Sequence, residues 1–163
     1  MNHTMDEIVN ELKGLPDNEL TEILGLIRAK RATYHKPLAF VQELMGFRYL
    51  GPVGEHHFQY EMRVTDDLLN RYGLLHGGLM TAFIDTAMAE TAFLIDQTVE
   101  RALTLNMAVD FIRPGMLGVL TADIHVVQNS KTIIVFQGSV MDTKEQLLAT
   151  AMSHFYKQPH RPS

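Results

Sequence analysis

Two adjacent glycines, Gly77 and Gly78, follow His76 and open an apolar segment running from Leu79 to Ile95 that holds a carboxylate, Asp85. Glycines at the mouth of a helix let a ligand atom approach bare backbone N–H groups, and the helix dipole adds partial positive charge there. A carboxylate inside such a helix is costly unless it is used or paired. If the glycine N–H polarises a carbonyl, Asp85 is the group to act as base or nucleophile; the plainer alternative is a Gly-Gly turn before a core helix, with Asp85 merely hydrogen-bonded.

Helical geometry constrains how these groups can cooperate. At about 100° per residue, Gly78, Thr81, Asp85, Met88 and Ala92 share one side of the helix, and Glu90 lies about 140° from Asp85 and receives no role. Gly77 and Asp85 are separated by about 12 Å along the axis. One carbonyl cannot touch both within a chain, so joint action requires antiparallel helices across a two-fold axis, with two equivalent sites per dimer. His76, beside the glycines, is placed to cap the turn, bond a carbonyl or orient a water, and Asn70 lies six residues upstream. Met80, Phe83, Met88 and Phe111 are candidates for an apolar pocket, although such spacings also describe plain core.

Other chemistries lose their main evidence. The chain holds eight histidines and no cysteine, but His56 and His57 are adjacent and would diverge on a strand, and no His-x-x-x-His set occurs, so no metal site is expected. Gly-x-Ser-x-Gly, Walker and Gly-x-Gly-x-x-Gly patterns are absent.

The supporting elements follow from periodicity. Thr4 to Lys13 and Asp17 to Tyr34 predict two helices, with Thr4 and Asp17 as caps and Gly14-Leu15-Pro16 as the stop between them. His57 to Val64 alternates as a half-buried strand, with Phe58, Tyr60, Met62 and Val64 on one face. After the helix come four strand-like runs, Ala102 to Ile112, Val119 to Gln128, Thr132 to Met141 and Leu147 to Tyr156, whose short separators predict an antiparallel meander. Apolar residues occur nearly all round the long helix, which predicts a sheet curled about it.

Composition bounds the class. The chain has 163 residues, 46% hydrophobic and 20% charged, which fits one soluble domain with a real core. A net charge of −5 and a pI near 5.9 leave no basic footprint for nucleic acid. The absence of cysteine excludes disulfides and suits a cytoplasmic protein. No secretory signal is readable at Met1 to Lys13, and Leu79 to Ile95 reads as too polar and too short for a membrane span.

The spacing Asn70-x-x-Gly73-x-x-His76-Gly77-Gly78, with Asp85 nine residues after the histidine, resembles the hot dog fold acyl-CoA thioesterases of the phenylacetate-pathway and 4-hydroxybenzoyl-CoA type. Leu103 to Met107, closing on Phe111-Ile112-Arg113-Pro114, is similar to that family's next strand. The resemblance implies an α+β hot dog domain over residues 51–157, a curled antiparallel sheet around a central helix. Residues 1–50 form a helical extension outside the resemblance, and 158–163 a flexible tail. It also implies homodimers or dimers of dimers, an acyl-CoA substrate, and no cofactor beyond the coenzyme A of the substrate itself. By resemblance Asp85 is the general base or nucleophile, and Gly77 supplies the N–H that polarises the thioester carbonyl. His76 and Asn70 bind the carbonyl or the water, and Thr104 is a hydroxyl that assists the water. The glycine usual near Asn129-Ser130-Lys131 is missing. An acyl-CoA sensor, suggested by the added helices, and a hydratase on the same fold are the competing readings.

Overall fold

The computed structural model describes residues 3–35 and 39–159, and the chain divides into two compact units, Met1–Leu44 and Met45–Ser163. The first contains α1 (His3–Leu12), α2 (Asp17–Ala32) and α3 (Phe40–Leu44), the last packed on α2. Gly14, at φ +84°, ends α1 in a conformation that favours glycine. Neither expected cap forms. Thr4 lies inside α1, and the extended Pro16 precedes α2, so Asp17 is its first helical residue.

The second unit begins with β1 (Arg48–Gly54) and β2 (His57–Val64), followed by α4 (Gly77–Ile95) and then β3 (Val99–Phe111), β4 (Gly118–Asn129), β5 (Ile133–Asp142) and β6 (Leu147–Pro159). All pairings are antiparallel, in the order β1-β2-β4-β5-β6-β3. Alternation puts Tyr60, Met62, Leu120, Ile124, Phe136 and Phe155 on the concave face, all fully or almost fully buried. Against them α4 presents Met80, Phe83, Ile84, Ala87, Met88, Thr91 and Ala92. Each large apolar side chain enclosed this way contributes about 1.5–3 kcal/mol. Sheet and helix approach closely at Gly138, where a Cβ would stand 2.8 Å from Met88 Cε. The result is the hot dog arrangement, a curled sheet around its helix.

The meander expected from the short separators is realised only by β4, β5 and β6. β3 lies at the far edge on β6, because Leu148 O holds the N–H groups of Ile112 and Arg113 beyond the strand's end, so Pro114–Leu117 crosses the sheet instead of turning a hairpin. β1 was not foreseen. Its Gly51 and Pro52 look like breakers, but β1 is an edge strand with two register shifts, where a missing proline N–H leaves no inner partner unsatisfied. The missing glycine at 129–131 is not needed, since no non-glycine residue of that turn has positive φ and Ser130 closes it by hydrogen bonds to Ile133 N and O.

Two expectations about α4 are corrected. With 19 residues and mean hydropathy 1.3 it is long and apolar enough to cross a membrane by length and composition, yet its seven buried side chains make it the core helix of the sheet. Nor is it enclosed all round. Thr81, Asp85, Ala89 and Glu90 are half-buried, and Phe93 and Leu94 are 36% and 47% exposed, which leaves a stripe at i, i+4 spacing uncovered in the protomer.

Candidate active site

The N-terminus of α4 is built by its flanking loops. Asn70 Oδ1 accepts from the N–H groups of Tyr72 (2.8 Å) and Leu74 (3.3 Å), and Asn70 N donates to Leu74 O. Gly73, at φ +72°, makes that reversal possible. Leu75 N then donates to Gly115 O, and His76 N to Leu68 O, which fixes the approach to the helix.

His76 is the N-cap. Its backbone is extended (φ −62°, ψ 125°), and its Nδ1 accepts from Gly78 N at 3.1 Å. The N–H groups of Leu79 and Met80 are taken by His76 O. Among the described residues, none accepts from Gly77 N–H, the first donor of the helix. One polarised donor is therefore left at the positive end of α4.

Beside that donor lies a cavity of about 290 Å³ whose lining includes Asn70, Leu75, Gly77, Met80, Phe111 and Pro114. Of the four apolar candidates, Met80 and Phe111 reach it, whereas Phe83 and Met88 are sealed in the core. Leu75 and Gly115 were not singled out from sequence, and Ile112 and Pro114 entered only as the close of the family-like strand and the turn after it. A larger cavity of about 380 Å³, between residues 113–120 and the turn after β5, touches neither Gly77 nor Asp85.

Asp85 sits about 12 Å down the helix, two turns from Gly77. It is half-buried, not enclosed, and its Oδ1 accepts from Thr104 Oγ1 at 2.7 Å. The register of β3 on β6 shifts between Thr104 and Asn106, and a bulge of that kind re-aims the neighbouring side chains. The structure thus joins the predicted residues in two groups, Asn70 with Gly77 at the cavity and Asp85 with Thr104 farther along. His76 borders a separate depression with Asp67, Leu68 and Leu79.

Other titratable groups lie elsewhere. Burial raises the Glu90 carboxyl above its ordinary range, and burial likewise raises the Tyr60 phenol, whose hydroxyl is 2.8 Å from Thr91 Oγ1. His57 pairs with Asp123 and stacks on His125, whose pKa falls through burial and then through the charge of His57. His56 stands in the preceding turn at φ 60°.

A curled sheet around an apolar helix with a bare N-terminal N–H defines a hot dog protein with a site suited to an ester-like carbonyl. The sequence model of the thioesterase superfamily matches residues 72–149, a span containing Gly77, Asp85, Thr104 and Phe111. A protein of Bacillus halodurans solved with CoA is 19% identical and covers 93% of this chain and 98% of its own, with a TM-score of 0.78. That share exceeds residues 45–163, so part of the N-terminal unit has a counterpart there. A thioesterase of Staphylococcus aureus is 26% identical over 74% of this chain and 100% of its own, with a TM-score of 0.68. PaaI of Escherichia coli, from the phenylacetic acid degradation operon, is 22% identical over 85% and 97% of the two chains, also with a TM-score of 0.68. Over residues 72–149 the chain is similar to the thioesterase superfamily, and its fold is that of the hot dog thioester hydrolases.

Proposed function

We propose that the chain hydrolyses an acyl-CoA thioester to a free acid and coenzyme A, at sites shared between two protomers. The observation that carries this reading is the unengaged Gly77 N–H over an apolar cavity at the start of α4. A thioester carbonyl placed there gains negative charge on oxygen as the tetrahedral intermediate forms, and a preorganised donor stabilises it. Asp85 either takes a proton from the attacking water or attacks the carbonyl carbon itself to give a mixed anhydride that water then cleaves. In both routes the C–S bond breaks and sulfur leaves as the thiolate of coenzyme A. Thr104 holds one Asp85 oxygen and orients the other. Asn70 and His76 shape the loop and cap that present Gly77. The CoA in the Bacillus halodurans relative supports the leaving group.

The two halves of the site meet only across a two-fold axis. β3 is a 13-residue edge strand carrying the exposed Leu103 and Leu105, and the uncovered stripe of α4 contains Asp85. An unpaired apolar edge is a template for another chain. Pairing β3 with its copy brings antiparallel α4 helices together, as a homodimer or within a dimer of dimers.

Incubation with acyl-CoAs of varied length and a thiol reagent tests the reading. Thiol release is expected from the native protein, and Asp85→Asn is expected to reduce it about 10²–10⁴-fold while the fold persists. Tight binding without thiol release makes the chain an acyl-CoA binding protein instead. Near-native turnover by Asp85→Asn removes Asp85 from the chemistry.

A further inference from the structure

We propose that Phe111 and Gly115 set the size of the acyl group, limiting it to an uncharged chain of about six to eight carbons held in the cavity beside Gly77. The inference rests on the hydrolase reading above and assigns the substrate class of that site.

The lining decides which arm of the thioester enters. Leu75, Met80, Phe111, Ile112 and Pro114 are apolar, while Asn70 Oδ1 is engaged with backbone N–H groups and Arg113 Nη1 with Leu147 O. The pantetheine arm carries two amides that would lose hydrogen bonds to water without gaining enough partners. A hydrocarbon chain loses nothing there. At about 30 Å³ for each water-sized group, 290 Å³ corresponds to about ten such groups at liquid density, and incomplete filling leaves room for about six to eight carbons.

Two residues bound that space from opposite sides. Phe111 ends β3 with its side chain 55% exposed, and its Cζ and Cε1 lie 3.4 and 3.6 Å from where a Cβ on Gly77 would stand. Its ring therefore walls the cavity directly beside the donor. Gly115 backs the floor. A Cβ there would stand 3.0 Å from Met80 Cε and 3.1 Å from Leu75 Cβ, and Leu75 N donates to Gly115 O, so the backbone has little room to retreat. Removing the Phe111 ring lengthens the space, and a methyl at Gly115 drives the flexible end of Met80 into it.

The test is kcat/KM for straight-chain acyl-CoAs from two to sixteen carbons, measured for the native protein, Phe111→Ala and Gly115→Ala. The native optimum is expected at about six to eight carbons. One methylene in an apolar pocket changes discrimination about tenfold or more, so Phe111→Ala is expected to raise the twelve-to-six-carbon ratio at least tenfold. Gly115→Ala is expected to move the optimum to shorter chains. A profile in which Phe111→Ala lowers every substrate by a common factor overturns the inference, even if Gly115→Ala fails to fold. If the native protein releases no thiol, the hydrolase reading fails separately. The same ratios measured as Kd then decide the size limit.

Discussion

Gly77→Pro deletes a single backbone donor and almost nothing else. Proline is suited to the first position of a helix, where its absent N–H has no intrahelical acceptor. The preceding residue must be extended, and His76 already is, at φ −62° and ψ 125°. Gly77 is not among the glycines with positive φ, and a Cβ there meets the Phe111 ring no closer than 3.4 Å. The helix should therefore survive with a melting temperature close to native. Loss of one oxyanion donor costs about 10²–10³ in kcat, about 2.7–4 kcal/mol. Gly77→Ala, which keeps the N–H and adds the same Cβ, should stay within a few-fold of native, and the pair is compared by thiol release under saturating acyl-CoA. Mixing denatured Gly77→Pro and Asp85→Asn chains and refolding them together then tests the shared site. A mixed dimer holds one site with both groups intact and one with neither, so random pairing restores about a quarter of native activity. Full activity in Gly77→Pro refutes the donor role, and a mixture no more active than its parents refutes the sharing.

Thr104→Val removes the hydroxyl that positions Asp85, and since a hydrogen bond to a charged group contributes about 1.5–3 kcal/mol, kcat should fall roughly tenfold or more with KM little changed, while Thr104→Ser restores it. Gly138→Ala places a methyl 2.8 Å from Met88 Cε and 3.2 Å from Ile124 Cδ1, which should destabilise the fold by about 1–3 kcal/mol in denaturant titration; an unchanged midpoint would show that α4 can shift away from the sheet. Asp96 has its pKa lowered from 3.8 to about 2, first by the Thr98 hydroxyl, then by Lys157 and the Thr98 N–H. A folded-state pKa below the unfolded one stabilises above the unfolded value and loses that stabilisation as pH falls. The melting temperature should accordingly drop between about pH 4 and pH 2, and Asp96→Asn should flatten that part of the profile; an identical slope in both proteins would place the acid sensitivity elsewhere.

The sequence carried the elements whose signals are local. Period-two alternation located β2 and the later strands, because each has one face against α4 and the other toward water. The Gly-Gly at 77–78 located the start of α4 for the same reason that it leaves a donor there. β1 escaped because a proline and two glycines are tolerated at an edge that pairs on one side only, and the place of β3 escaped because it depends on where Leu148 O sits, a long-range fact. The long helix looked enclosed because Phe93 and Leu94 are apolar, and composition does not tell a side chain that faces the sheet from one left uncovered in the protomer.

The site divides along the same line. Gly77, His76 and Asp85 are legible as candidates because their placement follows from position along one helix and its cap. The cavity is not, since Leu75, Met80, Phe111 and Gly115 come from a loop, a helix, a strand end and a crossing segment that share no spacing. What joins them is the tie from Leu75 N to Gly115 O and the hold of Leu148 O on Ile112 and Arg113, which bring the end of β3 back over the start of α4. The proposed chemistry thus rests on one short run of residues, whereas the proposed choice of acyl group depends on contacts that exist only once the sheet has closed.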